Sequence, residues 1–202
     1  YGGAPLPASR VARMVGEGAA VLVERVLGTA GLDTMPPEAL QRFTDIYGRV
    51  MLDHTSAYPG VVDVLGRLAP DHTLALLTNK PAGPAVATLE HCGIASYFTH
   101  RVFGDGELPR KPDPTGLEWL MRRNNASPGG TMVVGDSLVD LETARRAGVR
   151  ICLARYGFGF DGIPDGSLRG DELVIDRPAD LPGLLADLPS RPRIPDPGSR
   201  IP

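Results

Sequence analysis

The sequence predicts an α/β fold: a parallel sheet with helices on both faces, preceded by an all-helical segment. Three observations carry this. Residues 1–57 contain only helical periodicity. From "AYPG" (57–60) onward, short apolar runs alternate with helical patterns. Polar, chemistry-bearing residues follow directly on the apolar runs, where α/β sheets carry their ligand sites.

The elements follow in order. "SRVARMVGEGAAVLVERVLGTAG" has apolar residues at helical steps (Val11, Met14, Val15, then Val21, Leu22, Val26), broken by "GEG" at 16–18 as a turn between two helices. "PPEALQRFTDIYGRVMLDH" opens on two prolines and a glutamate, a good helix start. It sets Leu40, Phe43, Ile46, Tyr47, Val50 and Met51 on one face. "VVDVLGRLA" reads as a helix and "HTLALLTN" as a buried strand with a polar end. "PAVATLEHCGI" is a helix stopped by Gly93. "THRVFG" is a short strand, "DPTGLEWLMRRNN" a helix, "GTMVVGD" a strand, "VDLETARRAG" a helix, and "RICLA" and "ELVID" the last strands. The tail, 189–202, is rich in proline and charge without apolar pattern and reads as disordered or loosely held.

Bulk properties exclude several function classes. A length of 202 residues suits one good-sized domain, or a domain with a smaller insert. The net charge of −3 leaves no basic excess for a nucleic-acid backbone. No apolar run approaches the ~18 residues of a membrane span, and no signal peptide is visible. The expectation is therefore no nucleic-acid partner and no membrane. The two cysteines, Cys92 and Cys152, lack metal spacing and suggest a reduced, cytoplasmic protein. His54, His72, His91 and His100 form no zinc pattern. The chain opens on Tyr1 rather than Met, which points to processing or an incomplete sequence.

Three strand-end groups are candidates for chemistry. Thr78, Asn79 and Lys80 follow one strand; a hydroxyl and backbone N–H groups there can hold a phosphate oxygen. Lys111 stands in "LPRKPDP", in a loop stiffened by prolines, as a fixed charge for a phosphate or carboxylate. Asp136 and Asp140 in "VVGDSLVD" suggest a divalent cation. Singly, each has a structural reading. Thr78 would cap the next helix, Lys111 would be a solvated charge, Asp136 an N-cap and Asp140 a favourable first-turn charge. Their order on successive strands favours a joint function.

Taken together, Thr78-Asn79-Lys80-Pro81, Arg110-Lys111-Pro112-Asp113-Pro114 and Gly135-Asp136-Ser137-x-x-Asp140 with Ala144-x-x-Ala147-Gly148 resemble the haloacid dehalogenase-like hydrolases. "YPGVVDVLGRL", "GIASYF" and "VGEGAAVLV" are similar to the phosphoglycolate phosphatase branch, and the resemblance runs from about Arg10 to Leu188. It implies a Rossmann-like core at 58–188 and a helical cap at 1–57. By matching position, Thr78 contacts the transferring phosphoryl oxygens with Asn79 beside it. Lys111 neutralises phosphate and nucleophile, Asp136 is a direct Mg²⁺ ligand and Asp140 supports the metal site. Gly16 to Gly18 form the cap loop over the substrate. The implied reaction is Mg²⁺-dependent hydrolysis of a small phosphorylated metabolite, 2-phosphoglycolate first, through an aspartyl-phosphate. A monomer or homodimer is expected.

One part of the family pattern is missing. The nucleophile of such enzymes sits in D-x-D-G-T at the end of the first, mid-sheet strand, and no D-x-D occurs here. Asp176 reads as structural, and Asp105 and Asp113 fit no nucleophile motif. The expectation is an N-terminally truncated chain, inactive as written, whose strands before Thr78 and Asp136 face a gap of unpaired backbone groups. Alternatives are a phosphatase for pyrophosphate or another small phosphate, or a non-catalytic phosphate-binding protein. A dehalogenase is disfavoured by "TNK", and a sugar-phosphate mutase by Gly135 where Glu is usual. A receiver-type signalling domain carries its acids first, before Thr and Lys-Pro. "GFGFDG" (157–162) matches G-x-G-x-x-G, but without a following helix or ribose-binding acid it reads as a mobile loop near the site entrance. Trp119 reads as packing.

Overall fold

The computed structural model describes residues 1–32 and 34–186; the tail expected at 189–202 lies outside them. Helices α1 (Ala8–Ala12), α2 (Ala19–Thr29) and α3 (Ala39–Val50) come first. Gly18 sits at the start of α2 with φ 100°, a conformation that glycine adopts without strain, so "GEG" does separate two helices. Then follow α4 (Val61–Leu68), β1 (Ala75–Leu77), α5 (Ala82–His91), β2 (His100–Val102), α6 (Thr115–Arg123), β3 (Met132–Gly135), α7 (Leu138–Arg146), β4 (Arg150–Ala154), β5 (Leu173–Ile175) and α8 (Leu181–Ala186). Helix α8, "LPGLLA", is absent from the sequence-based element list. Its proline and glycine mask the helical pattern, and its packing against α4 supplies what propensity lacks.

Every strand pairing is parallel. Along β4 the side chains alternate between two cores, as a strand buried on both faces requires. Cys152 joins Val64 and Leu68 of α4, Ile175 and Leu181. Ile151 and Leu153 join Leu141 and Ala144 of α7. Burying a leucine such as Leu141 or Leu153 contributes about 2 kcal/mol over leaving it in water. Helices α2 and α3 have their own cluster around Val23, Leu27 and Ala39. It takes in Leu40 and Phe43 of α3, whereas Ile46 and Val50 are exposed. The continuous apolar face expected on α3 is therefore used only in part, because the cluster with α2 takes in Leu40 and Phe43 but neither Ile46 nor Val50.

The ladders form two sets, β1–β2 and β3–β4–β5, and among the described residues none joins β1 to β3. Helix α6 bridges them instead, its Leu117 and Met121 clustering with Leu77 of β1 and Val133 of β3. Val134, in β3, is 47% exposed, unusual for a strand of a parallel sheet.

The cysteines differ in reach. Cys152 is fully buried and its burial pushes the thiol up to about 11, whereas Cys92 is half-buried. A thiol reagent at about pH 8 is expected to titrate Cys92 in the folded protein and Cys152 only after unfolding. Two rapidly reacting thiols without denaturant would refute this core assignment.

Candidate active site

The candidate residues meet at the carboxyl ends of β1 and β3. At its centre, Lys111 Nζ donates to Asp140 Oδ1 at 2.6 Å, with the two side chains only 15% and 10% exposed. The second oxygen of Asp140 accepts from Ser137 Oγ at 2.6 Å, from Ser137 N at 3.1 Å and from Asp136 N at 3.2 Å. A local sequence reason underlies this. Ser137 is the N-cap of α7 and Asp140 its third residue, so the two form a reciprocal capping box. Ser137 is thus the N-cap, not Asp136. A β-carbon on Gly135 would overlap the Asp140 carboxylate, which explains glycine at that position. Burial pushes the Asp140 carboxyl up, but the Lys111 ammonium and the Ser137 and Asp136 donors outweigh it. The net effect holds Asp140 below its ordinary range.

Asn79, 6% exposed, fastens the backbone around this pair. Its Oδ1 accepts from Lys111 N at 2.8 Å, and its Nδ2 donates to Lys111 O at 2.9 Å and to Gly16 O at 3.0 Å. One amide thereby ties the β1 end, the lysine loop and the loop before α2 together. Gly18 lies over the same region, where a β-carbon would approach Arg110 Nη1 to 2.9 Å. Thr78 does not cap α5. Its Oγ1 accepts from Lys80 N at 3.1 Å, while the first turn of α5 is capped from outside by Asp105 Oδ1 on Ala82 N at 2.8 Å. The Thr78 hydroxyl hydrogen meets no acceptor among the described residues and can donate to a ligand oxygen.

Asp136 turns the other way. Its Oδ2 accepts from Gly159 N at 2.9 Å, and a β-carbon on Gly157 would overlap its side chain. No donor among the described residues engages its Oδ1. The "GFGFDG" segment is therefore the wall against Asp136, and its first two glycines permit that close approach. The sequence reading put this loop near the site without assigning it a contact. Sequence reasoning also missed the bond from Lys80 Nζ to Tyr47 Oη of α3 at 3.1 Å, because nothing in either motif announces a partner 33 residues away.

Metal capacity follows from the donors. No group of three or more His, Cys, Asp or Glu side chains gathers among the described residues. Both oxygens of Asp140 are engaged by donors, so the one open carboxylate oxygen is on Asp136. A single carboxylate fits Mg²⁺ when phosphate oxygens and water complete the shell, because that ion keeps several waters and commonly shares substrate phosphates. Asp176 lies on the surface, paired with Arg155 at 2.6 Å, and Asp113 accepts from Thr115 N at the start of α6.

Comparison with known proteins shows the family of the chain. Residues 1–154 match the model of the haloacid dehalogenase-like hydrolase family. A phosphoglycolate phosphatase of Rhodospirillum rubrum is 40% identical over 163 residues, covering 77% of this chain and 68% of that protein. A plasmid-borne phosphoglycolate phosphatase of Cupriavidus necator is 36% identical over 191 residues, covering 91% and 80%. A crystal structure of a predicted phosphoglycolate phosphatase from Haemophilus somnus superposes with a TM-score of 0.81 at 26% identity, covering 91% of this chain and 84% of that one. Among the described residues no helix is long and apolar enough to cross a membrane.

Proposed function

This chain belongs to the haloacid dehalogenase-like hydrolases, on their phosphoglycolate phosphatase-like branch, and from that premise we propose that its site serves Mg²⁺-dependent hydrolysis of a small phosphomonoester, 2-phosphoglycolate first. The observation that carries this reading is the buried Lys111–Asp140 pair beside the open Asp136 oxygen. Phosphoryl transfer needs positioning and charge neutralisation above all. Lys111, held at its head by Asp140 and at its backbone by Asn79, is a pre-oriented cation for a phosphoryl group. The Thr78 hydroxyl donates to a second phosphoryl oxygen, and Gly16 and Gly18 form the loop over the ligand. Asp136 would hold Mg²⁺, which supplies further shielding of the phosphoryl charge. Residues 1–57 act as the cap and 58–188 as the core, in a cytoplasmic monomer or homodimer.

The nucleophile of the expected aspartyl-phosphate route is not among these side chains. Both oxygens of Asp140 are engaged by Lys111 and Ser137, and one oxygen of Asp136 is held by Gly159 N, its other being the one assigned to Mg²⁺. The open edges of β1 and β3 and the exposed Val134 support a further strand between them, its end bringing the attacking carboxylate to Lys111. On this reading the chain binds phosphate esters without turning them over. The runner-up, a protein that only binds phosphate, shares the same binding residues; a phosphatase for pyrophosphate or another small phosphate differs in what the cap admits.

Titration calorimetry tests the site. In the presence of Mg²⁺ the chain is expected to bind 2-phosphoglycolate more tightly than pyrophosphate. Lys111→Met is expected to weaken that binding by about tenfold or more, the loss of a charge-assisted contact. Binding that is indifferent to Lys111→Met would remove the assignment.

A further inference from the structure

Of the 21 Lys and Arg residues in this chain only two are lysines, Lys80 and Lys111, and both stand at the carboxyl-end face of the strands. Lys111 is paired with Asp140 and accounted for by the phosphoryl group. Lys80 is half-buried, and among the described residues no carboxylate lies within ion-pair distance of it. Among the described residues its one side-chain partner is a phenol, Tyr47 Oη at 3.1 Å, with Nζ 5.7 Å from the ring centroid. A partly desolvated ammonium facing only a phenol keeps an unmet demand for an anion.

The geometry limits where that anion would sit. Lys80 N is bonded to Thr78 Oγ1, and the two residues' Cα atoms are at most about 7.6 Å apart along the chain. The backbone of Lys80 thus adjoins Thr78, while its head reaches Tyr47 of α3. Tyr47 is itself stacked on Phe43, with centroids 5.7 Å apart. Since the Tyr47 oxygen accepts from Lys80, its own hydrogen remains for the same anion. Two donors from two segments, Lys80 Nζ and Tyr47 Oη, thus stand 3.1 Å apart, the lysine being a residue whose backbone is bonded to Thr78.

We propose that Lys80, steadied by the Tyr47 hydroxyl, determines specificity by binding a second anionic group, a carboxylate, on the phosphorylated substrate. The inference rests on the phosphate-ester reading above and extends it. Lys111 answers the phosphoryl group, Lys80 the acid at the other end, so phosphorylated acids are selected over phosphorylated alcohols.

Calorimetry with 2-phosphoglycolate and ethyl phosphate, in Mg²⁺, separates the two readings because the ligands share the phosphoryl group and differ in the carboxylate. The intact chain is expected to prefer 2-phosphoglycolate by about ten- to a hundredfold, the range of a hydrogen-bonded charge contact. Lys80→Met is expected to bring that ratio close to one, Lys80→Arg to retain most of it and Tyr47→Phe to reduce it in part. A thermal melt of each variant verifies folding. An intact chain that binds both esters equally would overturn the proposal, as would a ratio unchanged in Lys80→Met, while leaving the phosphate-ester reading intact. An intact chain that binds neither ester overturns that reading and this proposal with it.

Discussion

Given 2-phosphoglycolate and Mg²⁺, the 202-residue chain is expected to release no phosphate above the uncatalysed background. The reason lies in the site. On the proposed reading Lys111, Thr78 and Asp136 supply charge and orientation, but among the described residues no unengaged carboxylate other than that of Asp136 stands at the site. Loss of a nucleophile typically removes on the order of 10⁶ in turnover even where the binding machinery survives. The open edges of β1 and β3 make the prediction sharper. A synthetic peptide of about five apolar, β-branched residues ending in aspartate should pair between them as a parallel strand. It should confer Mg²⁺-dependent phosphate release, and the same peptide ending in asparagine should not. A malachite-green phosphate assay decides it. Robust Mg²⁺-dependent hydrolysis by the chain alone would defeat the claim that its described residues lack the nucleophile.

Asp140→Ala should cost more stability than any other single change in the site, about 3–5 kcal/mol in urea unfolding. It removes the partner of a buried ammonium, frees the Ser137 and Asp136 donors and deletes the capping box of α7. Pairing it with Lys111→Met should recover much of the loss, since the uncompensated charge goes too. The pH dependence follows in sign. Asp140 is depressed below its ordinary 3.8 in the folded chain. Its contribution is therefore complete above that value and lost as pH falls through the lower folded value, so the intact chain weakens below about pH 4. Asp140→Asn should flatten that part of the profile. An Asp140→Ala protein as stable as the parent would show the pair to be decoration.

Much of the candidate site was legible before any coordinates, because its residues stand in short motifs at strand ends, where α/β folds keep their chemistry. The roles within those motifs were less legible. Asn79, expected beside the phosphoryl-binding Thr78, also ties segments together, both ends of its amide engaged by backbone. Asp140, expected to support the metal site, is also the partner of Lys111, which its motif does not announce. Gly157 and Gly159 looked like loop punctuation and form the wall of Asp136. Each of these depends on contacts between segments 23 to 63 residues apart, which no local spacing encodes.

By itself the sequence determined the alternation of helix and strand, the family and the positions of Thr78, Lys111 and Asp136, since period, turn chemistry and motif order are local properties of the chain. Tertiary structure alone decided that α8 is a helix, that Ile46 and Val50 on the α3 apolar face stay exposed, that among the described residues β1 and β3 are joined through α6 rather than by a ladder, and that the second lysine faces Tyr47. Those outcomes turn on which surfaces meet after folding: burial and hydrogen bonding are settled between distant segments, and the competition among them is not written in any one.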